Sequence, residues 1–222
     1  MRRNAVLLLT VSAVICAGSY IVRSATGERT TARVDPSAVA GLDRAPGTLD
    51  RAELARLIDA YEQRVALAPD VLELGFLARL YVERARLTGN IASYVQASTA
   101  ATRAVRIAPN DHESRVRLAG IRSALHDFSG ALELAHAVLE EQPGDLGAMA
   151  VVGDAQLELG DYAAATDAYG RLAAAAPGSS GVSVRLARLS FLRGDTAAAV
   201  RLAESAERRA LSEGAFGRGL AW

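Results

Sequence analysis

The sequence predicts an all-α protein built as a solenoid of stacked antiparallel helix pairs, and three observations carry that prediction. Ala97, Ala131, Ala165 and Ala199 follow one another at a constant step of 34 residues. A fixed step of this size marks a repeat array, whose units bury their apolar faces only against neighbouring units. An aromatic ring stands three residues before each of the first three alanines (Tyr94, Phe128, Tyr162, with Thr196 in the fourth copy), and a proline stands twelve after (Pro109, Pro143, Pro177, with Leu211 in the fourth). Pairs ending in a small residue, Leu118-Ala119, Val152-Gly153 and Leu186-Ala187, recur at the same step. Small residues let helices approach closely at a few points while bulkier side chains fill the space between them.

The central copy runs from Leu146 to Ser179. In it Val152-Gly153 opens the close-packing point of a first helix, Gly160-Asp161 makes the turn with Asp161 as N-cap, and Ala165 and Tyr169 lie on a second helix. These residues resemble the tetratricopeptide repeat, a two-helix module used mainly to hold other polypeptides. The resemblance covers about Val71 to the end of the chain. It implies a right-handed α-solenoid whose first helices line the concave side. Projected on this sequence, the arrangement points Leu72, Gly75, Arg79, Val116, Gly120, Ala150, Asp154, Leu157, Val184, Arg188 and Phe191 into a groove. Family members that grip the acidic C-terminal tails of chaperones present lysine and asparagine at corresponding places, where this chain has Gly75, Arg79 and Gly120. The expected occupant is therefore an extended or helical peptide laid along the groove.

Taken in order, the chain opens with Arg2 and Arg3, then an uncharged run of 18 residues from Ala5 to Val22, closed by Arg23. That length is at the short end of what a bilayer core requires and longer than the usual signal-peptide core. A retained anchor fits the full run; a cleaved signal, which would leave a secreted protein, would stop at Ala17, Gly18 and Ser19; a buried N-terminal helix is the third reading. In the first two, the arginine pair favours a cytoplasmic N-terminus and so places the repeats outside the cytoplasm, in a periplasm or outside the cell. Cys16 is the single cysteine, which excludes an intrachain disulfide. Val14 and Ile15 before it are larger than the residues that lipoprotein processing favours, so it reads as an idle thiol in the membrane.

Residues 1–23 are thus the anchor or signal segment, and residues 24–49, rich in Thr, Arg, Ala, Pro and Gly, a flexible linker. Residues 50–69 are a leading helix, capped by Thr48 or Asp50, whose Leu54, Leu57, Ile58, Tyr61 and Val65 recur at helical spacing to cover the end of the stack. Residues 70–222 are the array, with copies at about 71–111, 112–145, 146–179 and 180–213 and then a partial one. The first copy has 41 residues rather than 34, and its surplus is expected to prolong the first helix before Gly89-Asn90. His126 stands where later copies have Gly160 and Gly194, and a histidine can adopt the left-handed turn less readily than glycine. Phe216 to Trp222 resembles the opening of a further repeat, which implies a fragment of a longer array or a short terminal cover.

Chemistry has little to start from. The three histidines, His112, His126 and His136, fall at a helix start, a turn and a second helix, and no two have the one-turn spacing of a helical zinc site. No Gly-x-Ser-x-Gly or phosphate-loop pattern occurs, so no catalytic residue, cofactor or metal is expected. A formal net charge of zero gives no electrostatic grip on nucleic acid. The leading expectation is a non-catalytic scaffold or adaptor that binds a partner polypeptide, tethered to the membrane through residues 5–22. Two alternatives stand beside it: an assembly or maturation factor that presents an unfolded client to an envelope enzyme or cytochrome, and a fragment of a larger protein with a catalytic domain elsewhere.

Overall fold

In the computed structural model, residues 49–212 are described, all within the larger of the chain's two units, Ala40–Trp222. The regular elements among them are helices: α1 (Arg51–Leu67), α2 (Val71–Thr88), α3 (Ile91–Ile107), α4 (His112–Ala124), α5 (Phe128–Glu141), α6 (Leu146–Glu158), α7 (Tyr162–Ala175), α8 (Ser180–Leu192) and α9 (Thr196–Ser212). They pair as α2/α3, α4/α5, α6/α7 and α8/α9. Each helix packs on the next in the chain, and the first helices α2, α4 and α6 also touch in succession. The expected anchor, linker and partial last repeat lie outside the described residues. No helix among the described residues is long and apolar enough to cross a membrane.

Local chemistry fixes where most of these helices begin. Asp50 accepts from the Glu53 amide at 2.8 Å and the Glu53 carboxylate accepts from the Asp50 amide at 3.3 Å, a closed capping box that starts α1. Side chains of Asp70, Asn90, Asp111, Asp127, Asp145, Asp161 and Asp195 cap the helices that follow, except that Ser179, ahead of α8, makes no side-chain cap bond. Asp127, Asp161 and Asp195 keep the 34-residue step, so every second helix from α5 onward starts on the same bond, each contributing about 1 kcal/mol. The turns before them need one left-handed residue. Gly160 and Gly194 provide it at φ 84° and 83°, and His126 provides it at φ 62° with its ring edge-on to Phe128.

The 34-step alanines are the close contacts: Ala97, Ala131 and Ala165 are fully buried and Ala199 nearly so. The leading helix buries Leu54, Leu57, Ile58, Tyr61 and Val65, the face its spacing predicts. These side chains form one apolar core with α2, α3 and α4, and a second core joins α4, α5, α6 and α7. The surplus of the first copy departs from expectation. It lengthens both helices of its pair, α2 to 18 residues against 13 in α4, and α3 to 17 against 14 in α5, because residues added on both sides of the Gly89 turn keep the two helices matched in length.

The last pair is attached differently. Its apolar contact with the rest is divided between two small clusters, around Leu189 and around Val182. Arginines add polar contacts: Arg185 and Arg188 pair with Asp154 and Glu158, Arg193 donates to the Tyr162 carbonyl and Thr166, and Arg209 donates to the Gly178 carbonyl.

Candidate binding groove

The site is built up from one glycine. A β-carbon on Gly153 would lie 2.4 Å from Cε1 of Tyr169, so the absence of a side chain on α6 is what lets the Tyr169 ring cross it. One repeat earlier the same two places hold Ala119 and Ala135, both fully buried. The glycine and tyrosine of the central pair thus redistribute volume that its neighbour divides evenly. Crossing α6 brings the Tyr169 hydroxyl to Asp154, to which it donates at 2.8 Å. Arg185 of α8 grips the same carboxylate, Nε to Oδ1 at 2.9 Å and Nη2 to Oδ2 at 2.8 Å, and its Nη1 donates to the Gly181 carbonyl at 3.1 Å.

Burial, helped by the charge of Asp154 and the hydrogen bond to it, pushes the Tyr169 phenol above its ordinary range. Burial works to lower the Arg185 guanidinium, but the charge and hydrogen bonds of Asp154 outweigh it and hold the group above its usual value. Arg188, half-exposed, pairs with Glu158 beside them. Over this polar centre opens a cavity of about 310 Å³, lined by Ser123 from α4, Asp154 and Glu158 from α6, and Val184, Arg185 and Arg188 from α8, with Phe128 and Tyr169 of the second helices closing it.

Of the groove residues expected from the sequence, Asp154, Val184 and Arg188 meet at this cavity. Gly120 is exposed with open space above its Cα, and Leu72 and Phe191 are exposed at 67% and 63%. Val116 is half-buried against Gly147 and so bridges α4 to α6; Arg79 and Ala150 are also half-buried. Two assignments are corrected. Leu157 is 3% exposed and packs with Ala165, Tyr169 and Leu189, because the tyrosine ring and the last pair close over it. Gly75 is buried beneath Arg117, which reaches from α4 to donate to its carbonyl at 3.2 Å. Ser123, Phe128, Glu158, Tyr169 and Arg185 are lining residues that the sequence reading did not place there. For Tyr169 a signal existed: the same register holds Ala101, Ala135 and Ala203 in the other copies.

A second polar cluster locks α4 to α5. Arg115 donates to both oxygens of Glu141 at 2.8 and 2.9 Å, while His112 Nε2 lies 2.8 Å from Glu141 and its Nδ1 2.8 Å from Gln142. The hydrogen bonds from Arg115 and then His112 pull the Glu141 carboxyl down to about 2. Among the described residues no group of three or more His, Cys, Asp or Glu side chains could hold a metal ion.

No family model and no curated protein matches the chain. Solved structures do. A crystal structure of MamA is 15% identical and superposes with a TM-score of 0.57 over 81% of this chain and 97% of that one. MamA from Desulfovibrio magneticus RS-1, from residue 41 to its end, gives 15% identity and 0.56 over 81% and 98%. TTC0263, a thermophilic TPR protein of Thermus thermophilus, gives 20% identity and 0.55 over 66% of this chain and 79% of that one. At such identities the likeness is one of fold, and it agrees with the 34-residue step and the paired helices. By fold, the chain is a tetratricopeptide-like repeat protein.

Proposed function

We propose that the chain is a scaffold that holds a partner polypeptide on the face presented by its first helices, that it does so without catalysis of its own, and that residues 5–22 keep this face outside the cytoplasm. The observation that supports the binding role is the cavity to which three successive first helices, α4, α6 and α8, all contribute. A surface shared by three repeats suits a ligand that runs along the array, and the open position at Gly120 on α4 offers room in the same direction. The placement outside the cytoplasm rests on Arg2, Arg3 and the uncharged run that follows them.

Two glycines provide a matched test. Gly120 on α4 and Gly170 on α7 are both exposed mid-helix positions where a β-carbon meets nothing within 4 Å. Peptides selected from a displayed library on the immobilised full chain should lose binding to Gly120→Trp and keep it on Gly170→Trp. Equal binding to both variants overturns the groove assignment.

A further inference from the structure

We infer that the last helix pair, α8 and α9, swings as one body about Gly178 and Ser179, so that the cavity between the third and fourth pairs opens and closes with the Asp154–Arg185 pair as its latch. The inference rests on the groove reading for its use alone: an opening there widens the surface on which a partner lies.

The backbone of this junction differs from that of the two before it. Asp111 and Asp145 cap α4 and α6, accepting from the Ser114 amide at 2.9 Å and the Ala148 amide at 2.7 Å. One step on, Ser179 stands ahead of α8 and makes no side-chain cap bond, so nothing of that kind resists rotation at the start of the helix. Gly178 is left-handed at φ 85°, and among the described residues it is the only left-handed residue in a junction between pairs; Gly89, His126, Gly160 and Gly194 all lie in the turns inside pairs. Glycine takes left- and right-handed backbone about equally readily, and a few such residues can absorb the rotation of a whole element.

The packing differs too. α4 and α6 pack directly, with Ala119 and Val151 in one apolar core. At the next step Gly153 and Arg185 take those two places, and the Tyr169 ring fills the notch over the glycine. α8 stands off from α6 and reaches it by side chains, Arg185 to Asp154 at 2.8 and 2.9 Å and Arg188 to Glu158, and the cavity of about 310 Å³ is the space left between them. At its hinge end α8 keeps an apolar footing, Val182 and Leu186 clustered with Leu172 and Ala176 of α7. Towards the other end Leu189 alone joins Leu157, Ala165 and Tyr169. The ion pairs beside it are part-exposed, and pairs of that kind hold weakly and are screened by salt. α9 packs along α8, and its Arg209 donates to the Gly178 carbonyl, so the pair turns about the same point.

The test measures distances between pairs of spin labels on the full chain carrying Cys16→Ser, so that only introduced cysteines react. Labels at the exposed positions Gly170 on α7 and Arg201 on α9 span the hinge; Glu133 with Gly170 is the reference outside it, and Leu192 with Arg208 the reference inside the last pair. Two distances are expected across the hinge and one from each reference. The open share should rise about threefold between 0.1 and 1 M salt, and by a similar factor with Asp154→Asn. Ser179→Asp, which restores the residue that caps α4 and α6, should lower it. The salt series leaves the sequence of the latch untouched, so the answer does not depend on how well Asp154→Asn folds. A single distance across the hinge that neither salt nor Asp154→Asn moves overturns the proposal. Broadening of the Leu192 and Arg208 distance in step with it also overturns the proposal, because the pair is then unfolding rather than swinging. If the hinge distance stays fixed while Gly120→Trp blocks peptides, the hinge falls and the groove stands. If the distance moves while Gly120→Trp leaves peptide binding intact, the groove reading falls instead.

Discussion

The Gly153–Tyr169 exchange of volume makes a quantitative prediction. Gly153→Ala puts a methyl 2.4 Å from the Tyr169 ring, and overfilling a packed site costs about 1–3 kcal/mol. Removing a mid-helix glycine returns roughly 0.5–1 kcal/mol of that through helix propensity, so the single variant should lose about 0–2.5 kcal/mol. Tyr169→Ala empties a space that is 1% exposed and should cost about 3–5 kcal/mol. The double variant recreates the alanine pair of the preceding repeat, Ala119 with Ala135. Its ring is gone, so the clash is gone too, and the combined loss should fall short of the sum of the singles by the clash energy of about 1–3 kcal/mol. Urea unfolding of the four proteins measures the cycle. Additivity within about 0.5 kcal/mol would mean that the ring does not need the missing side chain, and the packing argument for this pair would be wrong.

Other consequences are checked as directly. His126→Gly relieves a left-handed residue that costs roughly 1–2 kcal/mol and loses about 0.4–1 kcal/mol through the freer unfolded chain, so it should stabilise by around 0.5–1 kcal/mol in denaturant melts. Glu141, held at about 2 from an ordinary 4.5, supports the fold at pH values above 4.5 and loses that support as the pH falls toward 2. Glu141→Gln should accordingly flatten stability against pH over that window in acid titrations. Because arginines carry much of the attachment of α8 and α9, raising salt from about 0.1 to 1 M should speed amide exchange in that pair more than in α4 to α7.

The repeat was legible because its constraints are local or lie at one constant step. Ala97, Ala131 and Ala165 are small for the same packing reason each time, and Asp127, Asp161 and Asp195 each close a bond three residues away. His126 could be read as a left-handed residue from the glycines in its register. The site was only partly legible, since its contacts leave that step. Asp154 meets Arg185 at a separation of 31 and Glu158 meets Arg188 at 30, about a turn short of the 34-residue partner. A projection from repeat positions therefore finds Asp154, Val184 and Arg188 but passes over Arg185. It also turns Leu157 outward, whereas the ring that crosses Gly153 helps to bury it.

A polypeptide held on the first-helix face would lie beside Gly120 and away from Gly170. A photo-activated cross-linking amino acid placed at Gly120 and, separately, at Gly170 tests it in cells that make the protein, since both sites accept a side chain without disturbing the core. Adducts with a polypeptide are expected from position 120 and none from position 170. Adducts from 170 alone, or equally from both, would contradict it.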